Sequence, residues 1–440
     1  MSSPISCLDS RYFNDVKELV NVCDEFAYYR NRIYVELKYF ELFTSSVITY
    51  NPYTDFTQTD YIKILQSEDI LKHDVKAIEY FIKDIPEVRD TNMSHLIHIG
   101  LTSQDVNSIG FMICFRDASL IIIETLSQLI NIFTDQLITP YIDDTKNNDI
   151  LMLSYTHGQP ATPTYFSKEM LIYKTRLDNI YNEISDFIKM NLTVKFGGAT
   201  GEMNALHFAL PDTNWKEWAD NFILQFVSGD AQFIRSQYTN QCDNYDSVIK
   251  VLYMVKRMLH VLEHLRGNLW LYIHRNYFIQ KNVKDEIGSS TMPHKINPID
   301  LENAKTSIEM AKRMIDGICD ILTETSYQRD ISDSSALRNI SSIFGYVLIS
   351  LNKIRSGVTR LQPNIKKIKE ELIDHPEVIL EGIQTYLKIH CKFENSYEIM
   401  KIFSRGNKIT LLEIYSMIDS LEIEEIHKII LKTLTPETYK

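Results

Sequence analysis

The sequence predicts an all-α fold of three helical domains, the middle one a bundle of long helices. Helix-breaking residues are sparse, with only 14 Gly and 12 Pro in 440 residues. No proline falls between Pro211 and Pro293, or between Pro298 and Pro363, which leaves room for long uninterrupted helices. Apolar residues also recur at helical spacing. Leu252, Val255, Leu259, Leu262, Leu265, Leu269 and Tyr272 form one stripe, and Val251, Met254, Met258 and Val261 form a second beside it. A face that wide is expected of a helix buried on two sides, as in the middle of a bundle. Alternating runs of the strand type are scarce.

In chain order, residues 1–104 read as an N-terminal domain of shorter helices with loops around Pro52 and Pro86. Residues 105–357 read as the central bundle, with helices over 105–138, 165–192, 248–272, 298–325 and 335–357. Gly357 and Pro363 then open a C-terminal domain, 358–440, of short amphipathic helices. Hydrophobic residues make up 44% and charged residues 24%, an ordinary globular balance. A net charge of −12 argues against a nucleic-acid surface. The opening MSSPISCLDSRYF has neither the charged nor the apolar stretch of a secretory signal, and no unbroken apolar run suggests a membrane span. The six cysteines are scattered without metal-ligand spacing. Reduced thiols in a cytoplasmic protein are therefore expected.

Chemistry concentrates in a few stretches. In Gly288–Asn303, one Gly, three hydroxyl residues and Pro293 make a loop, and Asn297 with Pro298 can open the next helix. Hydroxyls, the Lys295 ammonium and an amide thus meet a helix N-terminus, which favours anions. Composition alone fits a plain capping loop equally well. Thr102-Ser103-Gln104-Asp105 has capping-box spacing, and Ser103 would offer a hydroxyl at another helix start. His157, in Thr156-His157-Gly158-Gln159-Pro160, is held in a turn before a helix, where an imidazole can serve as proton donor. Lys195 and Asn204 flank a turn with Gly197, Gly198 and Gly201. No GK[ST] follows, so close backbone packing against a ligand is expected rather than a phosphate loop. Arg329, Ser334 and Arg338 precede or open helix 335–357, and such a set suits a phosphate. A salt-bridged surface turn has the same composition.

The run GSSTMPHKINP resembles the signature of the fumarase/aspartase superfamily. THGQPATP, HDVKAIEY, HIGLTSQDVNS and QRDISDSSALRN narrow the resemblance to the adenylosuccinate lyase family, particularly its bacterial type. The resemblance implies elimination of fumarate from a succinylated nucleotide, with no metal or organic cofactor. It makes Ser289 the base and His157 the acid, with Lys295 stabilising developing charge and Glu302 orienting His157. The substrate contacts it implies are Arg11, Tyr12, His73, Asp74, Thr102, Ser103, Gln241, Ser290, Asn297, Arg329, Ser334 and Arg338. It further implies a homotetramer with active sites shared between chains, and the doubly apolar 248–272 helix is expected to supply surface for that assembly. Two positions depart from the family pattern. Leu71 stands where relatives often carry Thr, and Tyr155 where many carry Arg. Another fumarate-releasing lyase, such as argininosuccinate lyase, or an inactive structural homologue are the alternatives.

Overall fold

The computed structural model describes residues 5–142, 149–281 and 291–439. Ser289 and Ser290 lie outside the described residues. The fold is all-α, as predicted, with short strand pairs the sequence reading did not anticipate.

Four of the long helices follow the expected spans. They are α1 (Ser103–Leu137), α2 (Phe166–Met190), α3 (Asp246–His274) and α4 (Ile299–Thr323). The fifth differs: 335–357 is divided into α5 (Ser332–Leu337) and α6 (Ile340–Thr359), with Arg338 and Asn339 between them. Both apolar stripes of α3 are buried, Leu252, Leu259 and Leu262 on one and Val251, Met258 and Val261 on the other. The two-sided burial is as predicted. It also corrects the expectation that these stripes remain available for assembly, since this chain's own side chains already cover them. Helix α1 is long and apolar enough to cross a membrane, but 78% of its most apolar window is buried, as in a core helix.

By internal contacts the chain forms two compact units. One comprises Met1–Leu129, Leu177–His264 and Asp300–Ile354. Its core includes Tyr29, Ile33, Phe40, Ile64, Ile78 and Ile82, with Phe115 against Phe344 further along. Here β3 (Leu192–Val194) and β4 (Phe233–Arg235) pair in parallel. They deliver Lys195 from one strand and the segment leading to Gln241 from the other.

The other unit comprises Ile130–Arg176, Leu265–Ile299 and Arg355–Lys440. Its core gathers Leu153, Leu372, Ile379, Ile383, Ile414 and Ile418. It contains the antiparallel pairs β1 (Leu151–Thr156) with β2 (Gln159–Tyr165) and β5 (Phe278–Gln280) with β6 (Leu361–Pro363).

Candidate active site

The start of α1 is fixed from inside the protein. Asp105 accepts a hydrogen bond from the Thr102 N–H at 2.8 Å, one half of the expected capping box. Its other oxygen takes the Lys195 ammonium at 2.6 Å and the Gly197 N–H at 2.8 Å, and the Gly198 N–H also donates to it. The glycine-rich turn was expected to pack against a ligand. Instead, its amides close on Asp105. Gly201 is required here. Its φ is +94°, and a Cβ would come within 2.1 Å of the Thr239 carbonyl oxygen, so no other residue allows this approach. That approach brings Gln241, two residues further on, toward the turn.

Beside this turn lies a cleft of about 390 Å³ whose walls include His73, Asp74, Ser103, Arg329, Ser334 and Arg338. The sequence motifs at 73–74, 103 and 329–338 thus converge within one unit. His73 is the N-cap of the helix Asp74–Asp84, its Nδ1 accepting from the Lys76 N–H at 3.1 Å. A neutral ring in that role carries its proton on Nε2.

Asp74 contacts the fully buried Arg32, 2.6 Å from carboxylate oxygen to Nη1. Burial opposes ionisation of Asp74, but Arg32 and the Val75 N–H outweigh it and hold its pKa below the usual carboxylate range. The Arg32 guanidinium lies over the Tyr28 and Tyr29 rings, 4.2 and 4.1 Å from their centroids. Those faces accompany the Nε and Nη2 atoms, which have no hydrogen-bond partner.

Arg329 binds the Gln241 side-chain oxygen and the Ser334 hydroxyl, each at 3.0 Å. Gln104 also reaches that hydroxyl, at 3.4 Å. Ser334 was expected just before or at the opening of a long helix 335–357. The helix instead starts at Ser332 and breaks at 338–339, so Ser334 sits inside the short α5, and this part of the cleft is built from side chains rather than a long-helix terminus. Arg338 is held by Glu25, whose two carboxylate oxygens lie 2.9 and 3.0 Å from Nη1. Arg32, Glu25 and Gln104 were not singled out from sequence, and Asp105 was read only through its capping-box spacing.

The other residues that the motifs single out do not wall this cleft. Arg11 is exposed, and the Tyr12 hydroxyl accepts from Asn303, in the first turns of α4, at 3.4 Å. Thr102 contributes through its backbone, beside the cleft. His157 occupies the two-residue turn between β1 and β2, with φ of +54° followed by +73° at Gly158, the signs a type I′ hairpin requires. It is exposed, and a strand separates it from the helix expected to follow directly. Lys295 is exposed, with its N–H on the Met292 carbonyl at 3.0 Å. Asn297 is half-buried and accepts from the Ile299 N–H through its carbonyl. Helix α4 therefore begins one residue beyond Pro298. Glu302 is exposed on its first turn.

Tyr155, the departure beside the His157 turn, is well engaged. Its ring lies under the Arg275 guanidinium, 3.9 Å away, and its hydroxyl meets Glu371. Arg275 and Glu371 also pair directly. The trio ties the hairpin strand to the helix Ile365–Ile373.

Family comparisons identify the chain's relatives. Residues 49–314 match a lyase family model, and residues 325–440 match the adenylosuccinate lyase C-terminal model. The chain is 33% identical over 453 residues to an adenylosuccinate lyase from Legionella pneumophila (strain Corby), covering 99% of this chain and 96% of that protein. It is 34% identical over 458 residues to one from Dictyostelium discoideum, with the same coverage. In fold, it superposes on a fumarate lyase from Mesorhizobium sp. BNC1 with a TM-score of 0.76 at 13% identity, over 96% of this chain and 94% of that one. Every predicted cleft residue falls inside the matched segments, and the chain belongs to the adenylosuccinate lyase family.

Proposed function

We propose that this protein cleaves the carbon–nitrogen bond of adenylosuccinate, giving AMP and fumarate, and cleaves succinylaminoimidazole carboxamide ribotide in the same site. The observation that carries the reading is the convergence of Arg329, Gln241, Ser334, Ser103, His73 and Arg338 about one cleft. Two guanidinium groups and a hydroxyl suit a phosphate, and the hydroxyl at the start of α1 suits a carboxylate.

The reaction is a β-elimination. Ser289 removes the proton beside a carboxylate, leaving a dianionic aci-carboxylate. Lys295 and Asn297 stabilise that charge, with Ser290 as a further contact, and His157 protonates the departing nitrogen while Glu302 orients its ring. Arg11, Tyr12, Asp74 and Thr102 complete the substrate contacts. The proposal requires no metal or organic cofactor.

The same reading makes the protein a homotetramer with shared sites and three helical domains bounded at 104 and 357. Exposed apolar residues support association: Tyr253 on α3, and Ile299, Met310 and Ile321 on α4. Six free cysteines support a cytoplasmic setting. The test is an absorbance assay with adenylosuccinate, argininosuccinate and malate offered separately. Turnover of the first alone is expected, and turnover of another in its place would overturn the reading.

A further inference from the structure

The two cleft arginines are held in different ways. Arg329 is held by a neutral amide and a hydroxyl. Its nearest carboxylate, Asp333, is 3.5 Å away and itself accepts from the Tyr245 hydroxyl. Arg338 instead carries a carboxylate: one nitrogen serves both oxygens of Glu25, and its other terminal nitrogen is 3.7 Å from Asp74. Asp74 is already committed to the buried Arg32. Glu25 is therefore the anion that neutralises Arg338.

We propose that Glu25 is an exchangeable internal anion that occupies Arg338 when no phosphate is bound and competes with the nucleotide phosphate for it. The proposal rests on the nucleotide reading of this cleft. Three features make Glu25 releasable. Both side chains are 44% exposed, so the pair is weak. Its geometry places one nitrogen between two oxygens rather than the stronger parallel fork. Glu25 is also the first residue of its helix, Glu25–Thr44, where the helix dipole still favours the freed carboxylate. A phosphate dianion makes shorter charge-assisted bonds and displaces it. When AMP leaves, Glu25 returns, so neither step leaves Arg338 without an anion. The consequence is weaker binding of substrate and product and easier release of AMP.

The test is Glu25→Gln, which keeps the shape and removes the charge. Removing a competing half-exposed charge should lower KM for adenylosuccinate and the AMP inhibition constant by about three- to five-fold. It should leave KM for the dephosphorylated succinyl-adenosine in place, and Glu25→Ala should shift the constants in the same direction. In an Arg338→Ala background the effect of Glu25→Gln should vanish. A raised or unchanged KM for adenylosuccinate, in a native enzyme that still prefers it to succinyl-adenosine, overturns the role of Glu25 alone. Equal kcat/KM for the two substrates in the native enzyme removes the phosphate reading and this proposal with it.

Discussion

The Lys195 ammonium lies 2.6 Å from Asp105, and both side chains are fully buried. Burial disfavours the ammonium and lowers the Lys195 pKa, with Asp105 opposing the shift. The pair joins the start of α1 to the glycine turn, so it sets the wall beside Ser103. Removing one partner leaves an uncompensated buried charge. Lys195→Met should lower unfolding stability by about 3–5 kcal/mol, read in urea at fixed protein concentration. A loss under about 1 kcal/mol would show that the glycine amides alone satisfy Asp105.

His98 and Glu36 should make stability depend on pH. Burial opposes the imidazolium, but the Glu36 carboxylate 2.5 Å away, with Glu79 and Asp105 beyond it, raises the His98 pKa. A raised folded pKa contributes stability that is complete below the unfolded value of about 6.5. That contribution is lost as pH rises through the folded value. Glu36→Gln should flatten the decline in stability above about pH 6.5. Urea midpoints compared across pH check this, and an unchanged slope would contradict it.

Tyr155 should act on the His157 turn through packing. Its hydroxyl joins Glu371 and Arg275 two residues before the exposed imidazole. Tyr155→Phe keeps the ring under Arg275 and removes the hydrogen bonds, so a stability loss of roughly 1–2 kcal/mol is expected. If the hairpin presents the acid, kcat should fall several-fold while KM changes little. A variant with native kcat would separate this trio from catalysis.

His157 and Ser289 are expected to come from different chains. Each alanine variant alone should lose at least ~10²-fold in kcat. Mixing the two inactive proteins, with dissociation and reassociation, should restore part of the activity. Hybrid tetramers seen by mass but without recovery would place both residues on one chain.

Much of the fold was legible because few residues break it. Helical apolar patterning located α1 to α4, and the proline-free spans frame α3 and α4. The break at Arg338-Asn339 was not legible, since no glycine or proline marks it. The hairpin around His157 was also hidden. Pro160 and Pro163 argue against a strand, yet a two-stranded ribbon has only edges and tolerates them. Of the cleft, residues within recognisable motifs were found, whereas Glu25 and Arg32 sit on an unremarkable helix and acquire their roles only through tertiary pairing.

The most direct test of the phosphate site compares adenylosuccinate with succinyl-adenosine, for the native protein and for Arg329→Ala. Charge-assisted contacts of roughly 1.5–3 kcal/mol correspond to roughly ten- to hundred-fold in kcat/KM. The native protein should prefer the phosphorylated substrate by that factor, and Arg329→Ala should lose most of the preference. Equal kcat/KM on the two substrates in the native protein would contradict the assignment of this cleft.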